Sequence, residues 1–384
     1  MTEDGVFVPY TAPGDLVEIE GEGKRAALVR LVEPGPVRTA PPCIHFGTCG
    51  ACATQHIAPD AYRAWKHGNV VRALGSAGID HEVAPLIDAH GEGRRRVTLA
   101  LKHGVAGYHR RGSHDVMPAE MCPILSPGLA GALAFARALA AEMPDKWLSL
   151  LITATESGMD GDIKGPLHGN ARLNARLAAI AREHSLARLT AEREPIALYR
   201  APRIGMGAVA SAMLPPGAFL QATAKGEEVL ASLVLDGVKR ARKVADLFCG
   251  IGPFAVRLAA RAQVYAADSD ADAIASLRKT AAIPGLKPVT AERRDLFRRP
   301  LAATELEPFD AVVFDPAFDG AAAQSAELAR SSVPRVVAVS CNPATFARDA
   351  RTLIDGGYKL TKVTPVDQFL YSPHVELAAE FVRL

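Results

Sequence analysis

Residues 244–259 read VADLFCGIGPFAVRLA, and the reading of this stretch decides the fold. A short apolar run leads into a Gly-x-Gly turn at Gly250 and Gly252. Apolar residues at helical spacing follow, so the segment reads as strand, glycine turn, helix. Glycine lets a backbone approach a ligand where a side chain would intrude. The next apolar run ends VYAADSD, placing Asp268 where a carboxylate could accept hydrogen bonds from a ribose diol. Dinucleotide-binding chains share this geometry, but here Pro253 and Phe254 follow the second glycine, so the full six-residue dinucleotide pattern is absent. With no pyrophosphate to cradle, S-adenosylmethionine fits better than NAD.

The same unit repeats to the C-terminus. KVADLF, QVYAAD, FDAVVFD and RVVAVS are near-continuous apolar runs separated by helical stretches, the pattern of a parallel sheet covered on both faces. Asp295 in RRDLF and Asp315 in VVFDP end further strands. A single strand-end aspartate is as often a helix cap as a ligand group. Several on one edge, after a glycine turn, favour a crevice that holds a ligand.

Upstream, GVFVPY, DLVEIEG and RAALVRLVE read as strands of a small β-module. Prolines 34, 36, 41 and 42 mark a junction. Residues 59–78 suit an amphipathic helix with Tyr62, Trp65, Val70 and Leu74 facing inward. Residues 94–114 read as paired strands rich in Arg, Lys and His, offering phosphate contacts or a solvated ribbon. A helix over 129–141, the strand LSLLITAT and a helix near 170–183 complete the middle of the chain. The organisation expected is a β-module at 1–40, a central α+β domain at 41–204 and a Rossmann-like domain at 205–384.

The chain has 384 residues, 49% of them hydrophobic, with a formal net charge of +2. That supports two or three cored domains and excludes a uniformly polyanion-binding molecule, so nucleic-acid affinity needs a local patch. No apolar run is long enough to span a bilayer and the N-terminus lacks signal-peptide character, so a soluble cytoplasmic protein is expected; a monomer is expected separately. Stable disulfides are not expected there, and clustered cysteines point to metal or catalysis. Cys43, Cys49 and Cys52 fall within ten residues, with Cys122 distant. Four thiolates satisfy a [4Fe–4S] cluster or tetrahedral zinc; one triplet plus a remote fourth suits the cubane better.

DLFCGIG, FDP, VSCNPATFARD and SPHVE, in that order, resemble the RNA uridine-5-methyltransferase family, and CIHFGTCGACATQH with MCPIL resembles its iron–sulfur-bearing members. The resemblance runs from about Gly5 to Leu384. It implies a class I S-adenosylmethionine-dependent fold and formation of 5-methyluridine in RNA, ribosomal (23S) ahead of transfer RNA. It also implies a [4Fe–4S] cluster on Cys43, Cys49, Cys52 and Cys122. Cys341 would be the nucleophile and Glu376 the base, with His374 beside it. Gln221, Phe248, Gly250, Asp268, Asp295 and Asp315 would meet the cofactor, and Cys249 would be a core thiol. The chemistry needs one thiol, one base and a methyl donor, because C5 of uracil becomes nucleophilic only after a thiolate adds at C6.

The chain departs from the family pattern in places. It reads DPAFDG where the family reads DPPR-x-G, so Ala317 and Phe318 replace Pro and Arg. Pro253 stands where a polar residue is usual, and CGAC replaces CGGC. GVFVPYTAPGDLVEIEG resembles only the later part of the family's RNA-binding β-barrel. The Phe318 change motivates a rival reading, an RNA-binding paralogue with impaired catalysis. Cytosine-5 methylation shares the thiol logic but not the SPHVE terminus.

Overall fold

The computed structural model describes every residue except 1, 22, 168, 169 and 384. Its centre is an eight-stranded sheet. In spatial order the strands are Val289–Arg293, Gln263–Asp268, Lys243–Leu247, Ala311–Phe314, Arg335–Ser340, Glu376–Arg383, Tyr358–Asp367 and Ile87–Asp88. The first five are parallel. Glu376–Arg383 inserts antiparallel between Arg335–Ser340 and Tyr358–Asp367. The order reverses between Lys243–Leu247 and Ala311–Phe314, which opens a crevice at the carboxyl ends of these strands. Val, Ala and Leu fill both faces, and two cores result, one on each side.

A seven-stranded, mostly antiparallel sheet spans Arg96–Leu198 and packs beneath the helices Ala132–Glu142 and Ala171–Glu183. Phe135, Leu139, Leu150, Ile152 and Leu177 are fully buried there. The N-terminal segment is smaller than its alternation suggests. Leu16–Glu20 and Ala27–Glu33 pair, whereas GVFVPY forms no strand and contributes one bridge, Phe7 to Arg25. Pro9 and a positive φ at Tyr10 interrupt it.

The helix Pro59–Ser76 forms as expected, with Pro59 at its first turn. Its inner face holds Tyr62, Lys66, Val70 and Leu74; Trp65 is only half-buried. Val70, Leu74, Ile79, Val83 and Leu86 join the core beside Leu247, Val336 and Phe346. Residues 59–89 therefore pack on the eight-stranded sheet, not within the 41–204 unit drawn from the sequence, because their apolar stripe finds its partner there. Among the described residues no helix is long and apolar enough to cross a membrane.

Candidate active site

Cys341 occupies a two-residue link, Cys341–Asn342, between a strand and a helix. Ser340 ends the buried strand, and Asn342 caps the helix Pro343–Asp355 by accepting the Ala344 N–H on its side chain at 3.1 Å. Pro343 costs the helix nothing at the first position, where an N–H has no intrahelical acceptor. The SCNP order thus places the thiol at the crevice edge. Asn342 Nδ2 and Thr345 Oγ1 both donate to the Phe318 carbonyl, at 3.1 and 3.2 Å, which ties the DPAFDG loop to the same turn. The Phe318 side chain is 54% exposed, and its ring meets His374 edge-on at 6.0 Å.

Glu376 opens the strand antiparallel to Arg335–Ser340, where Ser340 pairs with Leu377. Chain direction therefore brings Glu376 to the edge that carries Cys341. The carboxylates of Asp315 and Glu376 are joined by two glutamines. Gln221 Nε2 donates to Asp315 Oδ2 at 2.9 Å. Gln368 Nε2 donates to Gln221 Oε1 at 2.6 Å and to Glu376 Oε2 at 2.9 Å. Gln368 was not anticipated from the sequence. Its only signal is its place at a strand end near SPHVE.

Burial pushes both carboxyls well above the usual carboxylate range, and for Glu376 the charge of Asp315 adds to this; the amide contacts pull the other way. The Cys341 thiol is pushed up to about 12, first by burial and then by Glu376 and Asp315. A helix N-terminus ordinarily favours a thiolate; here the carboxylates and burial win. At pH 8 about one Cys341 in 10⁴ is then ionised, so alkylation by iodoacetamide should run roughly 10³-fold slower than at free cysteine. Peptide mass spectrometry of timed samples measures it, and labelling at the free-cysteine rate would contradict this electrostatic picture.

The residues expected from the sequence to meet the cofactor lie at and beyond the neighbouring strand ends. Asp268 accepts the Gly250 N–H on Oδ2 at 2.8 Å and the Asp270 N–H on Oδ1 at 2.9 Å. Gly250 has φ +54°, and a Cβ there would meet nothing within 4 Å, so the turn faces open space. At Gly252 a Cβ would come within 2.4 Å of Leu277, so that glycine serves packing. Phe248 holds a left-handed φ of +61° and pairs with Phe297 at 5.2 Å. Asp295 lies further out, its Oδ1 bonded to the N–H groups of Phe297 and Arg298. Asp246 is buried and, among the described residues, no side chain pairs with its carboxyl. A buried carboxyl, an open glycine turn and the exposed ring of Phe297 beside the half-buried Phe248 suit a cationic, adenosyl-bearing ligand. Pro253 starts the helix Pro253–Ala259 and offers the ligand no hydrogen bond. Cys249 is buried against this turn.

Cys43, Cys49, Cys52 and Cys122 line one small cavity of about 20 Å³ with Phe46, Gln55 and Tyr108. Burial raises the Cys49, Cys52 and Cys122 thiols, Cys52 to about 11, and the neighbouring cysteines add to it. His45 shares the cavity but its Nε2 accepts the Glu120 N–H at 3.2 Å. Four mutually opposed thiols are the donor chemistry of a metal–sulfur centre. Their present spacing closes on no single ion, since among the described residues no three His, Cys, Asp or Glu side chains are arranged to hold one. The segment also reaches the active-site loop: the Ala53 and Thr54 N–H groups donate to the Tyr371 carbonyl at 2.8 and 3.2 Å.

The basic run splits in two. Arg95 is buried, bonded to Glu227 at 2.6 Å and to the Gln221 carbonyl at 3.0 Å. Arg96 donates to the Leu220 carbonyl at 3.2 Å and lies over Phe219, and Arg94 lies over Phe369. Arg95 and Arg96 thereby hold the segment that carries Gln221. Phosphate contact by Arg95 is corrected accordingly, because its charge is already spent on Glu227.

Comparison with known proteins agrees with this architecture. Residues 214–336 match the methyltransferase small domain family. An RNA methyltransferase of Brucella suis is 45% identical over all of this chain and 94% of its own. The 23S rRNA (uracil(1939)-C(5))-methyltransferase of Salmonella paratyphi A is 29% identical, covering 99% of this chain and 91% of its own. The Pyrococcus abyssi tRNA (uracil-54, C5)-methyltransferase, solved with S-adenosyl-L-homocysteine, superposes with a TM-score of 0.76 over 99% of this chain and 96% of its own, at 23% identity. The glycine turn, the strand-edge crevice and the full-length match place this chain in the RNA methyltransferase family, as an S-adenosylmethionine-dependent enzyme.

Proposed function

We propose that the enzyme methylates C5 of a uridine in RNA, with 23S ribosomal RNA as substrate ahead of transfer RNA. The observation that carries this is the meeting of a thiol and a carboxyl, Cys341 and Glu376, at one strand edge. The Gln221–Gln368 relay links Asp315 to Glu376, and both carboxyls lie close enough to act on the Cys341 thiol. The full-length similarity to the Salmonella 23S rRNA enzyme supports the choice of RNA.

Cys341 Sγ adds to C6 and makes C5 enolate-like. S-adenosylmethionine supplies an electrophilic methyl group, which bonds to C5 and leaves S-adenosylhomocysteine. Glu376 then takes the C5 proton, and elimination returns the Cys341 thiolate. Gln221, Phe248, Gly250, Asp268, Asp295 and Asp315 are assigned to the cofactor side. The target uridine must leave its stack to reach Cys341, which costs least in a loop or bulge.

Nucleoside mass spectrometry of RNA from a deletion strain tests the proposal. Loss of one 5-methyluridine from 23S rRNA is expected. Loss from transfer RNA instead would move the substrate, and no loss in either would favour the catalytically impaired paralogue, which the exposed Phe318 motivates.

We further assign a [4Fe–4S] cluster to Cys43, Cys49, Cys52 and Cys122. Its role is to staple the segment, since methyl transfer consumes no electrons. Anaerobically purified protein is expected to be brown, with roughly four irons and four sulfides per chain. Zinc in place of iron would overturn the assignment.

A further inference from the structure

An open groove of about 780 Å³ runs along the seven-stranded sheet, away from the strand-edge crevice. Its walls come from the hairpin Arg96–His109, the turn after it, the start of Trp147–Thr155 and the end of Gly158–Lys164. Gly50 and Ala51 of the cysteine segment form one rim, held by the Gly50 N–H on the His109 carbonyl at 3.0 Å. Arg110, Arg111, Lys164, His109 and His114 line the groove, and no Asp or Glu does. Among the described residues, none of Lys102, Arg110, Arg111 and Lys164 makes a salt bridge. The local charge is thus uncompensated in a chain whose net charge is only +2.

The groove also holds an aromatic surface. Trp147 is 54% exposed. Lys102 Nζ sits 4.6 Å over its ring, and His114 meets it edge-on at 6.0 Å. His109 lies 6.1 Å beyond His114. A lone exposed tryptophan is ordinary. A tryptophan among imidazoles and free cations, in a groove without carboxylates, is a stacking platform inside an electrostatic track.

We propose that this groove is a second RNA-binding site. It takes a single-stranded segment flanking the target, with a base stacked on Trp147 and phosphates on Arg110 and Lys164. The inference rests on RNA being the substrate class. It deepens the proposed function by requiring unpaired RNA on both sides of the cysteine segment.

The test uses the full-length protein and a fluorescein-labelled single-stranded oligouridylate of about twelve nucleotides, followed by anisotropy over a range of KCl concentrations. Trp147→Ala should weaken binding about tenfold. Arg110→Gln with Lys164→Gln should lower the salt slope by about 1.4, two phosphate contacts at roughly 0.7 each for single strands. Arg110 and Lys164 are exposed, so this double variant decides the matter if Trp147→Ala fails to fold. S-adenosylmethionine binding by calorimetry reports folding in each. Binding within twofold of wild type and an unchanged slope in the double variant would overturn the proposal. Cys341→Ala should bind the oligouridylate as wild type does. A failure of 5-methyluridine formation with intact groove binding therefore counts against the chemistry and not against the groove.

Discussion

Cys341→Ala is expected to lose RNA methylation by at least about 10⁴-fold while keeping its affinity for S-adenosylmethionine, because in the proposed mechanism the thiol forms the covalent bond to C6 and holds no part of the cofactor. Glu376→Gln should fail differently. The amide is isosteric and still accepts from Gln368, so Cys341 and the relay stay in place. Addition and methyl transfer proceed, proton removal stalls, and turnover falls about 10²–10⁴-fold. RNA then remains attached through Cys341, a shifted band on a denaturing gel that disappears when Cys341 is also replaced. With Glu376 as the proposed base and its carboxyl raised, the wild-type enzyme should lose activity as pH falls through that raised value. The midpoint lies above the ordinary carboxylate range. Methylation by Cys341→Ala at near wild-type rate would reduce Cys341 to a buried hydrophobe.

The second large effect concerns stability. Lys66 has no exposed side-chain surface and is paired with Asp367, itself 1% exposed. It also donates to the Phe369 carbonyl at 2.8 Å. Asp367 accepts the Tyr62 Oη–H at 2.7 Å and the Phe369 N–H at 3.1 Å, and His90 Nε2 lies 3.0 Å from its Oδ2. The partners shift in opposing senses. Burial lowers Lys66 despite Asp367, whereas His90 and Lys66 overcome burial to lower Asp367. The donor-rich carboxylate sets the charge state of the group. Lys66→Met should leave that carboxylate buried and underpaired, at a cost of about 3–5 kcal/mol. Chemical unfolding would show it, and a loss under about 1 kcal/mol would mean that the pair is solvated. A folded pKa below the unfolded one adds stability above about pH 4 that is lost as pH falls through the lowered value. Lys66→Met should flatten that acid limb.

What the sequence shows depends on how local the cause is. KVADLF, QVYAAD and RVVAVS announce buried strands because their period lies within six residues, and Gly250 and Asp268 follow from strand–turn geometry. Cys341 stands out because Ser340, Asn342 and Pro343 state the strand end and the helix start around it. Lys66 reads as a solvated lysine, since the carboxylate that makes it internal is 301 residues away. Gln368 is silent for the same reason, with Gln221 at 147 residues. Arg95 looks like a phosphate contact until Glu227, 132 residues on, claims it. GVFVPY alternates like a strand, but no partner edge is available beyond Arg25.

The strand Glu376–Arg383 lies between two strands that precede it in the chain, Arg335–Ser340 and Tyr358–Asp367. During synthesis those two must wait as open edges, exposed to pairing with other chains, until the later strand slides between them. The carboxyl at position 376 arrives with that strand, as does the final alignment of Tyr371 with the cysteine segment. A partly made molecule therefore holds Cys341 without Glu376, and on the mechanism proposed above it has no complete site until the sheet has closed.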